Sequence, residues 1–171
     1  MNEKVILDAC CGGRHWWFDK NQKNTIYMDI REVEKGYIEL QPNWSVKPDL
    51  IGDYTNMPFD DESFHLIAWD IPHILKQNEG IMCKKYGYLG KNWFNNCKKG
   101  FDEIMRVLKP YGTMVLKFND LNIKINDLLD CFSLKPLFGT VTKKGANNTY
   151  FFVFMKLQEE NNQTKILEWV K

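Results

Sequence analysis

Short apolar runs that stop at an aspartate recur along this chain. Val5–Ala9 is the first, a buried-strand pattern carrying Asp8 and halted by a glycine-containing loop. Thr25–Met28 closes on Asp29, Leu50–Ile51 leads into Asp53, and Phe64–Trp69 closes on Asp70. Residues 10–24 leave room for a crossover connection with a short helix, its Trp16, Trp17 and Phe18 packing onto the sheet. The period then changes. Phe94, Cys97, Phe101, Ile104 and Leu108 fall in steps of three and four, one stripe of a helix with Asn92 as N-cap and Pro110 with Gly112 as its stop. Thr113–Phe118 reads as a fifth strand, and Leu121, Ile125, Leu128, Leu129 and Phe132 as another helix. Two late β runs, Leu134–Thr142 and Thr149–Lys156, flank KKGANN as an antiparallel hairpin. The tail, residues 159–171, reads as a terminal helix or an extension.

Strands alternating with helices predict an α/β fold whose central sheet is mostly parallel. The second crossover helix is reduced: residues 30–48 hold two prolines and no helical period, which predicts a loop or small hairpin. A length of 171 residues suits one domain spanning 1–171. With 44% hydrophobic and 26% charged residues and a net charge of +1, overall charge selects no polyanionic partner. No apolar run approaches the roughly 18 residues of a membrane span, and MNEKVILDA lacks signal-peptide architecture. Five cysteines, an odd count, then read as reduced thiols, so a cytoplasmic location is expected. Neither the cysteines nor His15, His65 and His73 have zinc-ligand spacing, so no metal site is expected.

In an open α/β sheet, ligands bind outside the carboxyl ends of the strands. Asp8, Asp29, Asp53 and Asp70 all stand at such ends. Each alone is equally a turn-capping aspartate; four together point to one polar cleft. Gly12 and Gly13 let backbone approach a ligand closely. Asp29 follows Asp8 by 21 residues, near the roughly 20 at which an acidic residue meets a ribose hydroxyl pair. There is no G-x-G-x-x-G and no phosphate-loop Lys-Ser/Thr, so a nucleoside cofactor without phosphates fits better than a dinucleotide.

Four segments in order carry a family likeness: DACCGGR, YMDIR, IGDYTNMPFDDESFHLIAWD and FDEIMRVLKPYGTMVLKF. Together they resemble the class I S-adenosylmethionine (SAM)-dependent methyltransferases and their Rossmann-like fold, over most of residues 4–156. The nearest likeness is to short methyltransferase-like proteins of phages and mobile elements of low-GC bacteria. The resemblance implies SAM as cofactor. Asp8, Ala9, Cys10 and Gly12 would hold its methionine end, Asp29 its ribose, and Asp53 its adenine amino group, with Ile30 or Tyr54 packing on the ring and Asp70 also contacting the cofactor.

Asp70-Ile71-Pro72-His73 occupies the place of the D-P-P-aromatic motif of amino-methylating enzymes, which implies catalytic roles for Asp70, Pro72 and His73 on an amino nitrogen, adenine N6 above all. Ile71 and His73 depart from that motif, and His73 is open to stacking, to acting as a base or to bonding locally. A structural reading, Asp70 as a turn cap and His73 on the surface, stands beside it. Residues 76–99 place six lysines against Glu79 alone, interleaved with Tyr86, Tyr88, Trp93 and Phe94. That mixture suits phosphates and bases, so Lys84, Lys85 and Tyr86 are candidate contacts to a DNA or RNA substrate. The same segment reads equally as a solvated loop leading into a helix. Methyl transfer to a small molecule or protein side chain, and a SAM-binding regulator or anti-restriction protein without activity, are the competing readings.

Overall fold

The computed structural model describes residues 4–143 and 147–157, so the tail, residues 159–171, lies outside the described residues. Its elements are β1 (Ile6–Asp8), β2 (Thr25–Asp29), β3 (Leu50–Ile51), β4 (Phe64–Asp70), α1 (Ile81–Tyr86), α2 (Trp93–Val107), β5 (Leu108–Asn119), α3 (Ile125–Leu129), β6 (Phe138–Lys143) and β7 (Thr149–Met155). The strands form one sheet in the order β3-β2-β1-β4-β5-β7-β6. The first five pair in parallel. β7 lies antiparallel to β5 and to β6, so the expected terminal hairpin closes the sheet. This is the Rossmann-like α/β architecture the sequence predicts.

Strand alternation assigns the two faces. Ile67 and Trp69 of β4, Leu116 and Phe118 of β5 and Phe154 of β7 are buried together with Cys97, Phe101 and Ile104 of α2. Phe101 stacks on Phe132 at 4.4 Å between centroids and meets Phe154 edge-on at 5.4 Å. Burying each such side chain contributes about 1.5–3 kcal/mol. Asp8, Asp70 and Lys117 alternate with these core residues and therefore project from the other face.

Several expectations need correction. Residues 10–24 hold turns and no helix. Gly12 and Arg14 sit at φ 47° and 55°, outside helical geometry. Arg14 donates to the Lys20 and Lys47 carbonyls and to Asp49, and lies 3.8 Å over the Tyr27 ring, so a guanidinium knots the connection instead. Trp16 packs on Phe151 and Trp17 on Tyr27, but Phe18 is 111% exposed and packs nothing. Helix α2 ends at Val107, and Leu108 already belongs to β5. Pro110 lies inside that strand, where the pairing with β4 shifts register and Tyr111 takes φ 60°; a bulge leaves the ring's missing N–H without consequence. Phe94, in the first turn of α2, is exposed. Asn92 stands at the N-cap, yet its side chain bonds Asn95 and Asn96 rather than a backbone N–H. β6 starts at Phe138 rather than Leu134, because Pro136 interrupts the run. α3 spans only Ile125–Leu129. α1 was not foreseen: six residues are too few for a periodicity. Residues 30–48 form no helix, and the antiparallel bridge Val33–Val46 makes them a small hairpin-like loop.

Candidate functional site

At the carboxyl ends of β1, β2 and β4 the loop after β1 turns back over the sheet edge. The Cys11 amide donates to the Met28 carbonyl at 2.8 Å, and the Gly12 amide donates to Asp29 Oδ2 at 2.9 Å. The two strand ends are thus laced together by the glycine loop. A Cβ on Gly13 would stand 2.9 Å from His15 Nε2 and from Trp44 Nε1, so that position admits no side chain without displacing a neighbour.

Beside this loop lies a cavity of about 410 Å3. All nine residues expected to contact a cofactor line it: Asp8, Ala9, Cys10, Gly12, Asp29, Ile30, Asp53, Tyr54 and Asp70. Asp8 is 2% exposed, and its carboxylate accepts from Trp17 Nε1 at 2.7 Å and from the Cys10 amide at 3.3 Å. Burial pushes its pKa up to about 7, against the pull of the Trp17 bond. Burial and the nearby carboxylates also push the Cys10 thiol well up, so Cys10 contributes a small neutral wall and no thiolate. Asp53 Oδ1 accepts from the Thr55 amide at 2.8 Å in an Asx turn. Tyr54 leans edge-on against Trp69, 5.6 Å between centroids.

Asp29 is partly engaged. Its Oδ1 takes the Arg31 amide at 3.0 Å and Arg31 Nε at 3.4 Å, and Oδ2 takes Gly12. A carboxylate offers about four lone-pair sites, which leaves room for a further donor on Oδ2. The Arg31 guanidinium continues to the carbonyls of Lys84 and Lys85, 3.1 and 3.3 Å away. It therefore clasps α1 to the end of β2, beside the cavity that Arg31 and Lys85 both line. The sequence reading missed Arg31, whose only signal was its place two residues after Asp29.

A second cavity, about 320 Å3, meets the first at Asp70, Pro72 and Tyr86 and also takes in His73, Lys117, Asn119 and Thr149. Pro72 lines both; His73 lines only the second, its ring 6.2 Å from that of Tyr86. Burial lowers the His73 pKa, so the ring is neutral near pH 7. Asp70 Oδ2 accepts from Lys117 Nζ at 2.5 Å. Burial raises the Asp70 pKa and Lys117 opposes the rise. Of the candidate substrate contacts, Lys85 and Tyr86 line the first cavity, whereas Lys84 turns away to Glu79 at 3.3 Å. Lys117 also escaped the sequence reading, since only the β4–β5 register reveals it as the neighbour of Asp70. Among the described residues no group of three or more His, Cys, Asp or Glu is placed to hold a metal ion, and no helix is long and apolar enough to cross a membrane.

No protein-family model matches the chain, and no curated protein matches it in sequence. Solved structures do resemble it. A SAM-dependent methyltransferase from Methanosarcina mazei aligns with a TM-score of 0.55 at 14% identity, covering 93% of this chain and 95% of the other. A TehB-like SAM-dependent methyltransferase from Corynebacterium glutamicum gives 0.56 at 16%, covering 91% and 82%. A geranyl diphosphate methyltransferase, in complex with GPP and sinefungin, gives 0.53 at 9%, covering 91% and 72%. At such identities the likeness establishes the fold: the chain has the Rossmann-like fold seen in SAM-dependent methyltransferase structures.

Proposed function

We propose that this protein is a SAM-dependent methyltransferase acting on an amino nitrogen of a nucleic-acid base, adenine N6-type chemistry foremost. The observation that carries the reading is the convergence of Asp8, Asp29, Asp53 and Asp70 with the bare glycine loop on one cavity at the carboxyl edge of the sheet. The residues fit SAM. The loop backbone at Gly12 and Gly13 lines the cavity, and the carboxylates supply acceptors for ammonium, hydroxyl and amino donors. Asp8 and Cys10 would border the methionine end, Asp29 the ribose, and Asp53 with Tyr54 the adenine. When bound, SAM supplies an electrophilic methyl group on a sulfonium sulfur.

The chain's own residues account for orientation. Asp70 accepts a hydrogen bond from the target amine, and Pro72 shapes the passage between the two cavities. Lys85 and Tyr86 suit the phosphate and the ring of a polynucleotide.

A second reading, a SAM-binding protein without transferase activity, is favoured by one observation: Lys117 already holds the carboxylate that must accept the amine. Incubation with methyl-labelled SAM and separate DNA, RNA and cell-lysate fractions decides between them. Label recovered as N6-methyladenine supports the proposal. Label in protein or small molecules moves the acceptor class, and bound SAM with no transfer leaves the second reading.

A further inference from the structure

Asp70 and Lys117 are register partners on adjacent parallel strands, and they form a side-by-side acceptor and donor where the two cavities join. The pair is incompletely used. One carboxylate oxygen, Oδ1, has no hydrogen bond among the described residues, and the ammonium bonds only Asp70, with the Trp16 ring 5.8 Å away. The floor beyond it is satisfied and fixed: Asn119 Nδ2 donates to Thr149 Oγ1 at 3.0 Å, and Asn119 Oδ1 accepts from the Leu121 amide at 3.1 Å. Besides the side chains of His73, Tyr86 and Asn147, a ligand in this cavity therefore meets a paired acceptor and cationic donor side by side.

We infer that Lys117 reads the ring nitrogen adjacent to the methylated amine, so that Asp70 and Lys117 together recognise a donor–acceptor edge, an exocyclic NH2 beside a ring nitrogen. This rests on the function proposed above and narrows its substrate class. Adenine and cytosine carry such an edge; an aliphatic amine does not, and in its protonated form it would face Lys117 as a like charge. Lys85 and Tyr86, which line the adjoining cavity, favour a polynucleotide over a peptide amide, which offers a similar edge.

The test uses single-stranded oligonucleotides bearing adenine, 1-deazaadenine or 7-deazaadenine, with wild type, Lys117→Met and Lys117→Arg, followed by methyl transfer and by SAM calorimetry. A charge-assisted hydrogen bond is worth tenfold or more, roughly, in transfer efficiency. The wild type is expected to lose about that factor on one deaza substrate. Lys117→Met is expected to be poor on adenine and to lose nothing further on that same analogue, while Lys117→Arg keeps part of the discrimination. A purely structural loss would depress all three substrates alike. SAM affinity, unchanged in the variants, reports that the fold is intact. Transfer to adenine with discrimination unaffected by Lys117→Met overturns this inference alone. Transfer to a glutamine peptide instead, or to no oligonucleotide by a SAM-binding protein, overturns the proposed function with it.

Discussion

Gly100 on α2 is the seat of Tyr54, and Gly100→Ala probes how the helix sets the cofactor cavity. A Cβ there would stand 2.8 Å from Tyr54 Cε2 and 3.0 Å from Trp69 Cζ2, and closer still to Tyr54 Cδ2. Trp69 is fully buried and cannot yield, whereas Tyr54 borders the cavity and can. Alanine in a helix interior gains about 1 kcal/mol over glycine. Overpacking costs about 1–3 kcal/mol, so the net change is a loss of up to about 2 kcal/mol. At this chain length each kcal/mol moves Tm by about 2–4 °C. The displaced ring also intrudes on the site: losing an aromatic contact of about 1 kcal/mol weakens SAM by roughly five- to tenfold. Thermal unfolding and calorimetry measure both. A Tm raised by the full propensity gain, with unchanged affinity for SAM, would refute the seating of Tyr54 on Gly100.

Three further outcomes are expected. Folded Asp8 takes its proton near pH 7 rather than at the ordinary 3.8, so the native state holds the extra proton between those values. Stability contributed by this group therefore falls as pH rises through the window, by at most about 1.4 kcal/mol per pH unit. Urea unfolding of Asp8→Asn should show a shallower decline than wild type, and parallel curves would contradict the assignment. Arg31→Ala frees α1 from β2 and should weaken SAM by about tenfold with a small change in Tm; the reverse pattern would make Arg31 a purely structural clasp. Replacing Lys84, Lys85 and Tyr86 together should weaken nucleic-acid binding and flatten its salt dependence while leaving SAM affinity within about twofold; undiminished affinity would remove this segment from the substrate site.

The strand ends were legible because each buried run is short and halts at a carboxylate that belongs at the sheet edge. Four such runs in order determine a parallel sheet, and the terminal aromatic runs determine its hairpin. What the sequence hid depends on contacts between distant positions. Lys117 and Asp70 meet through strand register, and Arg31 meets α1 across a loop, neither of which leaves a spacing along the chain. The knot in residues 10–24 comes from one arginine reaching two carbonyls and Asp49, an arrangement that composition does not announce. The adjacent cysteines of the glycine loop prove to be wall rather than chemistry: Cys10 lines the cavity with its thiol held protonated, and Cys11 is buried with its pKa likewise raised.

The central claim, a SAM site built on Asp29 and the glycine loop, is tested most directly by calorimetry with SAM and S-adenosylhomocysteine on wild type, Asp29→Asn and Asp29→Ala. The account predicts binding of both ligands by wild type, weakened by tenfold or more, roughly, in each variant. Wild type that binds neither ligand, or variants that bind both as tightly as wild type does, would contradict it.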